Sequence, residues 1–294
     1  MKTLLLILLI AISFHPRLPA QLSETGTAFS VMTYNIRYAG GEKEGDINNW
    51  SKRKYLVAKV ITKYKPDIIG LQEAEKIQID DLMNLSDGYN WIGVGRNDGK
   101  EAGEFTAIFY NKNRFELIRN LTFWLSETPG VPSRGWDAAL NRTVTVAELL
   151  DKKSGKSLYL FNTHFDHVGE KARIESVKLL VEKINEIAGD KPVIVTCDLN
   201  STPNSSAYNL LTSSYEQETK HHTLYDAQTI SEQPPTGGIV TYNGFGKTMN
   251  MGRRIDFVFV DDRVKVISYQ IVKDTFNGLY PSDHWAVLAY LCLR

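Results

Sequence analysis

Asp198 and Asn200 stand two positions apart at the end of "VIVTCDLN", residues 193–200, an apolar run with no obvious reason to finish in a carboxylate and a carboxamide. The same thing happens elsewhere. "VMTYN" ends in Asn35, "IIGLQE" in Gln72 and Glu73, and "LYLFNTH" in Asn162 and His164. Asp256 lies inside "RIDFVFV", and Asp283 and His284 open the last apolar run just after Pro281. A lone polar residue at a strand end is ordinarily a turn former or a cap. A recurring set of Asn, Asp, Glu and His points instead to one shared crevice, because open α/β sheets place their sites where strand ends converge.

The residue types narrow the chemistry. Carboxylates and carboxamides suit a hard cation such as Mg²⁺ or Mn²⁺, and the set contains no thiolate. The two histidines and the remaining acids are then available for proton transfer and phosphate contact. The chain has no G-x-x-x-x-G-K-[ST] loop, no H-E-x-x-H helix and no G-x-S-x-G elbow. Metal-assisted attack of water on a phosphoester is the reaction class that remains.

The elements that must position these groups alternate along the chain. "FSVMTYNI" (29–36) has strand periodicity, and Leu56, Val57, Val60, Ile61 and Tyr64 fall at helical spacing up to Pro66. Strands are expected at 67–73, 104–110, 143–150, 157–164, 193–198, 254–260, 264–272 and 284–291. The clearest helix is 171–187, with Ala172, Val177, Leu180, Val181, Ile184 and Ile187 on one face. Strands outnumber helices and the two are interspersed, which implies one α/β domain with helix-covered sheets.

Composition sets the outer bounds. A chain of 294 residues, 43% hydrophobic and 23% charged, can bury a sizeable core. Residues 1–20 read as a secretory signal peptide: Lys2, the apolar run from Thr3 to Phe14, and a small-residue exit at Ala20. The run is too short to span a bilayer comfortably, so the expected product is a secreted or periplasmic, monomeric domain of residues 21–294 with no stable membrane span. Net charge is zero over the whole chain; removing Lys2 and Arg17 leaves 32 basic against 34 acidic residues. Such a chain has no global field to gather nucleic acid. Cys197 and Cys292 sit in apolar runs and read as buried thiols.

The ordered set "TYNIR", "LQE", "NTHFDH", "CDLN", "RIDFVF" and "SDHWAV" resembles the endonuclease/exonuclease/phosphatase superfamily over about residues 29–292, with "GWDAALNR" and "NTHFDHVGEKAR" similar to a secreted bacterial branch. The resemblance implies a four-layer α/β sandwich of the DNase I type, with two central mixed sheets flanked by helices. It implies Glu73 as the metal carboxylate, with Asn35 beside it orienting metal or phosphate, and Asp283 positioning metal or solvent. Asp198 then orients or deprotonates the attacking water, Asn200 holds the phosphate or that water, and His164 contacts the scissile phosphate. His284 stabilises the transition state or serves as acid–base catalyst, with Asp256 accepting from it. Arg142 reaches a phosphate oxygen, and Glu104 pairs with His164. The sequence departs from the family at Cys197, where Gly is common, and it offers no match for the tyrosine that some members use. Asp166 and His167 either widen the site or cap the helix that follows.

The implied activity is that of a secreted Mg²⁺- or Mn²⁺-dependent phosphoesterase acting on a phosphodiester or phosphomonoester. A nuclease is the alternative, and it would need a local basic groove. The candidates are Arg253 and Arg254, and Lys52, Arg53 and Lys54, the last group being more often a solvated helix face. A catalytically idle binding module on the same fold is a further alternative. A sugar- or surface-binding protein would expose aromatic platforms, for which Trp91, Trp124 and Trp136 are the candidates. The stretch 234–250, rich in Gly and aromatics, reads as a lid or substrate rim.

Overall fold

Pro66 and the left-handed Lys65 (φ 45°) stop the first helix, and the chain returns at once as a strand beside the one it left. That unit, β1 (Phe29–Asn35), α1 (Trp50–Tyr64) and β2 (Ile68–Gln72), is a parallel pair with a helical crossover. β7 (Lys156–His164), α3 (Glu170–Ala188) and β8 (Val193–Asp198) repeat it. Between them come α2 (Lys76–Leu85), β3 (Tyr89–Ile92), β4 (Ile108–Asn111), β5 (Phe115–Trp124) and β6 (Thr143–Asp151). After them come α4 (Ser206–Thr212), β9 (Tyr225–Asp226), β10 (Asp256–Val260), β11 (Val264–Val272) and β12 (Ala286–Leu293). This computed structural model describes residues 27–40, 45–213, 222–247 and 252–294; the signal peptide expected at 1–20 and part of the 234–250 loop lie outside them. Among the described residues no helix is long and apolar enough to cross a membrane.

The strands form two six-stranded sheets with orders β11-β12-β1-β2-β4-β3 and β5-β6-β7-β8-β10-β9. Each carries its one parallel pair third and fourth in the row, with antiparallel neighbours on both sides. Period-two alternation sorts the side chains into layers. Val31, Ile68, Leu160, Ile194, Val258 and Val287 face the other sheet and make the central core. Met32, Ile69, Leu71 and Leu288 face outward onto Val57, Val60 and Ile61 of α1. Val144, Phe161, Val195 and Phe257 do the same for Val177, Leu180 and Ile184 of α3. The result is the expected helix–sheet–sheet–helix sandwich.

The site's position follows from this topology. The C-terminal ends of β1, β2, β7 and β8 open on one edge, and antiparallel pairing brings the start of β10 to that edge. Asp198 is in register with both His164 and Asp256. The segment leading into β12 arrives there through its pairing with β1.

Two of the strand-end polar residues lock the sheets together. The Gln72 amide donates to Asn162 Oδ1 at 2.7 Å, and Asn162 Nδ2 donates to the carbonyls of Leu71 and Ala107 at 2.8 and 2.9 Å. Thr196 Oγ1, on the neighbouring strand of the same sheet, also donates to Asn162 Oδ1 at 3.0 Å. Gly70 lets the sheets come this close: a Cβ there would lie 2.1 Å from Thr196 Oγ1 and 2.6 Å from Asn162 Oδ1. Gly70→Ala is therefore expected to lower stability by about 2–3 kcal/mol through overpacking. A urea melt beside Gly130→Ala, whose added methyl meets nothing within 4 Å, checks this; equal midpoints would sink it.

Candidate active site

One carboxylate oxygen organises the edge. Asp198 Oδ2 accepts from Asn35 Nδ2 at 2.9 Å and lies 3.5 Å from His164 Nε2 and 3.9 Å from His284 Nε2. Groups from both sheets thus meet on an atom of a residue only 1% exposed. Asp198 Oδ1 accepts the backbone N–H of Asn200 at 2.9 Å. Burial and the charge of Asp256 push Asp198 up to about 7, against the restraint of His284, Asn35 and the Asn200 N–H.

His284 belongs to a second unit. Its Nδ1 sits 2.9 and 3.1 Å from the two oxygens of buried Asp256. Burial pulls its pKa down, but Asp256, then Asp198 and Asp283, hold it up at about 10, so the ring is an imidazolium at neutral pH. Asp198, Asp256 and His284 each bring an atom within 4.8 Å of the others, a spacing that a metal could bridge. Both Asp256 oxygens are committed to His284, however, and the arrangement fits a proton-handling relay better than a cation cage.

Glu73 offers the better carboxylate for a cation. It follows β2 in the left-handed region, φ 59°, which turns its side chain along the sheet edge. Asn35 Nδ2 donates to its Oε1 and the Tyr38 N–H to its Oε2, both at 3.1 Å. Burial opposes its charge, but His284, Asn35 and Arg37 prevail and lower its pKa, so it is ionised. Asn35 orients both acids, its own oxygen accepting from the Arg37 N–H at 3.0 Å. Asp283 is raised by burial and then by Glu73's charge. The residues fit a hard divalent cation in chemistry: a buried, ionised carboxylate with the oxygens of Asn35 and Asp283 close by and no thiolate among them.

His164 Nε2 lies 2.9 Å from Asn200 Nδ2, which also donates to the Phe165 carbonyl. Asn200 reaches this position through a left-handed turn, φ 48°, two residues past Asp198, where the strand ends, so the turn and not strand alternation places it. Burial, then the charges of Arg142 and Arg96, hold the His164 pKa well below the ordinary value. Glu104 does not pair with His164 as expected. It forms a two-pronged salt bridge to Arg96 at 2.6 and 2.9 Å, because the 95–104 loop folds back and lays a guanidinium against it. Arg142 is buried beside them, its Nε on Asp166 at 3.3 Å and its Nη2 3.0 Å from His167 Nδ1. His167 is exposed and buttresses Arg142. Asp166 also accepts from the backbone N–H groups of Val168 and Gly169, so it both clamps Arg142 and shapes the entry to α3. Together with the Ala139 N–H, these hold its carboxyl far below the usual range despite burial.

The sequence pattern of the Endonuclease/Exonuclease/phosphatase family matches residues 32–284, a span that takes in every group just described. The chain belongs to that family. As an Endonuclease/Exonuclease/phosphatase protein it is similar to a family member of known structure from Bacteroides vulgatus, at 39% identity and a TM-score of 0.84, covering 91% of this chain and 100% of that one. It is similar to the mannosyl-6-phosphatase of Bacteroides thetaiotaomicron at 34% identity and a TM-score of 0.84, covering 90% and 100%. Bovine tyrosyl-DNA phosphodiesterase 2 is 26% identical over 91% of this chain and 69% of its own length. The chain spans 60%, 41% and 27% of the lengths of three other curated relatives it matches.

Sequence reasoning missed other functional neighbours in this Endonuclease/Exonuclease/phosphatase site. Arg53 is not on a solvated helix face: it is 1% exposed and donates to the carbonyls of Ile36, Arg37 and Pro281. It ties the end of β1, just past Asn35, to the loop carrying Asp283. Tyr242 packs edge-on against His284 at 5.1 Å between ring centroids. Arg254 is buried on Asp226 at 2.6 Å, while Arg253 is exposed. Trp124 is buried with its Nε1 on the Arg96 carbonyl at 2.7 Å, and Trp91 packs on Phe105, so neither is a surface platform. Trp136 is half-buried. Cys197 and Cys292 are free thiols; Cys197 is buried as expected, whereas Cys292 is only partly so.

Proposed function

We propose that the chain is a secreted, monomeric phosphate-ester hydrolase that works by in-line attack of water on phosphorus. The observation that carries this is Asp198 Oδ2, set among Asn35, His164 and His284 from both sheets. Glu73, with Asn35 and Asp283 beside it, would hold Mg²⁺ or Mn²⁺. Bound there, the cation supplies Lewis acidity to a phosphoryl oxygen and offsets its charge.

Asp198 removes the proton from the attacking water; with a pKa near 7 it is matched to that task at neutral pH. The charged His284 presents Nε2 to the developing oxyanion or leaving oxygen, its other nitrogen fixed by Asp256. His164, fixed by Asn200, faces one side of the phosphoryl group and Arg142 stands behind it. The mannosyl-6-phosphatase and phosphodiesterase relatives support a phosphate ester as substrate. Nucleic acid is less favoured, because burial of Arg53 and Arg254 removes two candidates for a basic groove.

Protein stripped with EDTA is expected to be inactive on p-nitrophenyl phosphate and bis-p-nitrophenyl phosphate, and to recover turnover with Mg²⁺ or Mn²⁺. Turnover that survives EDTA, or none with either metal from folded protein, would overturn the proposal.

A further inference from the structure

The salt bridge between Arg96 and Glu104 uses both terminal nitrogens of the guanidinium and leaves Nε buried without a partner. Across the same cleft, His164 Nδ1 is also buried without a partner. Its hydrogen can be placed. Asn200 Nδ2 has two hydrogens and gives one to the Phe165 carbonyl, so the other goes to His164 Nε2. Nε2 is then an acceptor, and the single hydrogen of the neutral ring sits on Nδ1.

The two residues that carry these orphan N–H donors therefore line one cleft with Arg142. Buried donors are costly to leave unmade, and a matching acceptor has to be an anion or a strongly polar oxygen. The remaining walls are Phe105, Thr106, Asn141 and Thr143, with the carboxylates of Glu73 and Glu104. Glu104 is already answered by Arg96, and Glu73 is the acid assigned to the cation. The cleft has room for about 10 Å³, roughly what one water-sized atom occupies. An oxygen fits there; an ester substituent does not.

We propose that this cleft receives an unesterified phosphoryl oxygen and makes the site selective for phosphomonoesters over diesters, with Arg96 as the residue that sets the selectivity. The inference rests on the phosphate-ester reading above. A monoester has three unesterified oxygens, enough to fill this cleft as well as the positions at Glu73 and His284. A diester has two, and its second substituent would have to enter the cleft.

The test compares kcat/KM on p-nitrophenyl phosphate and bis-p-nitrophenyl phosphate. The parent should prefer the monoester, and Arg96→Gln should cost about 10²-fold on it while the diester rate stays within about threefold. Arg96→Gln strands Glu104, so Arg96→Gln/Glu104→Gln, which leaves no unpaired carboxylate, should show the same pattern if the single variant fails to fold. A parent that prefers the diester, or variants in which both substrates fall together, would overturn the subsite. A readout independent of turnover is thermal melting in EDTA with inorganic phosphate. Phosphate should raise the parent's midpoint and not the variants'; no rise in the parent, or an equal rise in the variants, rejects the subsite. A parent that hydrolyses neither ester, yet shows a phosphate-dependent rise that the variants lose, would reject the catalytic reading and leave the subsite standing.

Discussion

Asp198→Asn is expected to lower turnover by about 10³-fold, at the upper end of what removing one group from a preorganised site costs, while the protein still folds. The reason is that this carboxylate is poorly placed for stability and well placed for chemistry. Burial and the neighbouring Asp256 raise it from 3.8 to about 7. A carboxyl whose folded pKa is raised binds its proton more tightly in the folded state. Between pH 4 and 7 the folded protein therefore holds more protons than the unfolded chain, and stability falls as pH rises through that window. The variant has no such group, so the difference in melting temperature, variant minus parent, should move in the variant's favour from pH 4 to pH 8. Substantial turnover in the variant, or a difference that moves the other way, would show that Asp198 is not the base held under strain.

The second large effect falls on a residue that touches no reacting atom in this scheme. Asp256→Asn takes from buried His284 the carboxylate bonded to its Nδ1 and leaves the more distant Asp198 and Asp283, and breaking one side of a buried ion pair costs about 3–5 kcal/mol. Turnover should fall about 10²-fold, because with its largest charge partner gone the ring is held less firmly in its charged form and its Nδ1 loses the group that fixes it. The pH profile separates this from general damage. In the parent His284 titrates near 10, so the alkaline limb lies high; in the variant it should move toward acid. Stability has a matching sign. A histidine with a raised folded pKa contributes fully below about 6.5 and loses the contribution as pH rises through 10, so the gap between parent and variant should be widest near pH 6 and close above pH 10. A pH profile unchanged in shape would mean that Asp256 acts only as packing.

The strand ends were readable because two rules meet there. An apolar run has a definite length, and a carboxylate at its end has a definite direction. β1, β6, β7, β8 and β11 appear within a residue or so of where their alternation places them, and α3 runs from 170 to 188 against an expected 171–187. The run 104–110 reads as a strand, yet only its second half pairs as one, because Glu104 and its neighbours turn away to form the cleft. Arg96 lies in the polar loop "GRNDGK", where no periodicity marks one charge as inward-facing. Arg53 shares a basic triplet with Lys52 and Lys54, and only the packing of the loops at Ile36 and Pro281 shows which of the three is buried. Left-handed backbone at Glu73 and Asn200 is equally silent in the sequence, since neither is a glycine. Tyr242 approaches His284 through an isolated bridge between segments 42 residues apart, which no local pattern encodes.

The pairing of β1 with β12 sets how the site comes into being. Residues 29–33 run beside 287–291, and Ser282 Oγ donates to the Asn35 carbonyl at 2.7 Å. Closing a loop of that length demands most of the chain before it returns any contact, so topology of this kind folds slowly. Asn35 and His284 cannot face one another until the closure is made. A half-folded molecule with the β5–β10 sheet complete would have Asp198, His164 and Asp256 in place and still lack the imidazolium and the metal acid's partner. Regain of turnover during refolding is thus a clock for one event, the docking of the last strand against the first.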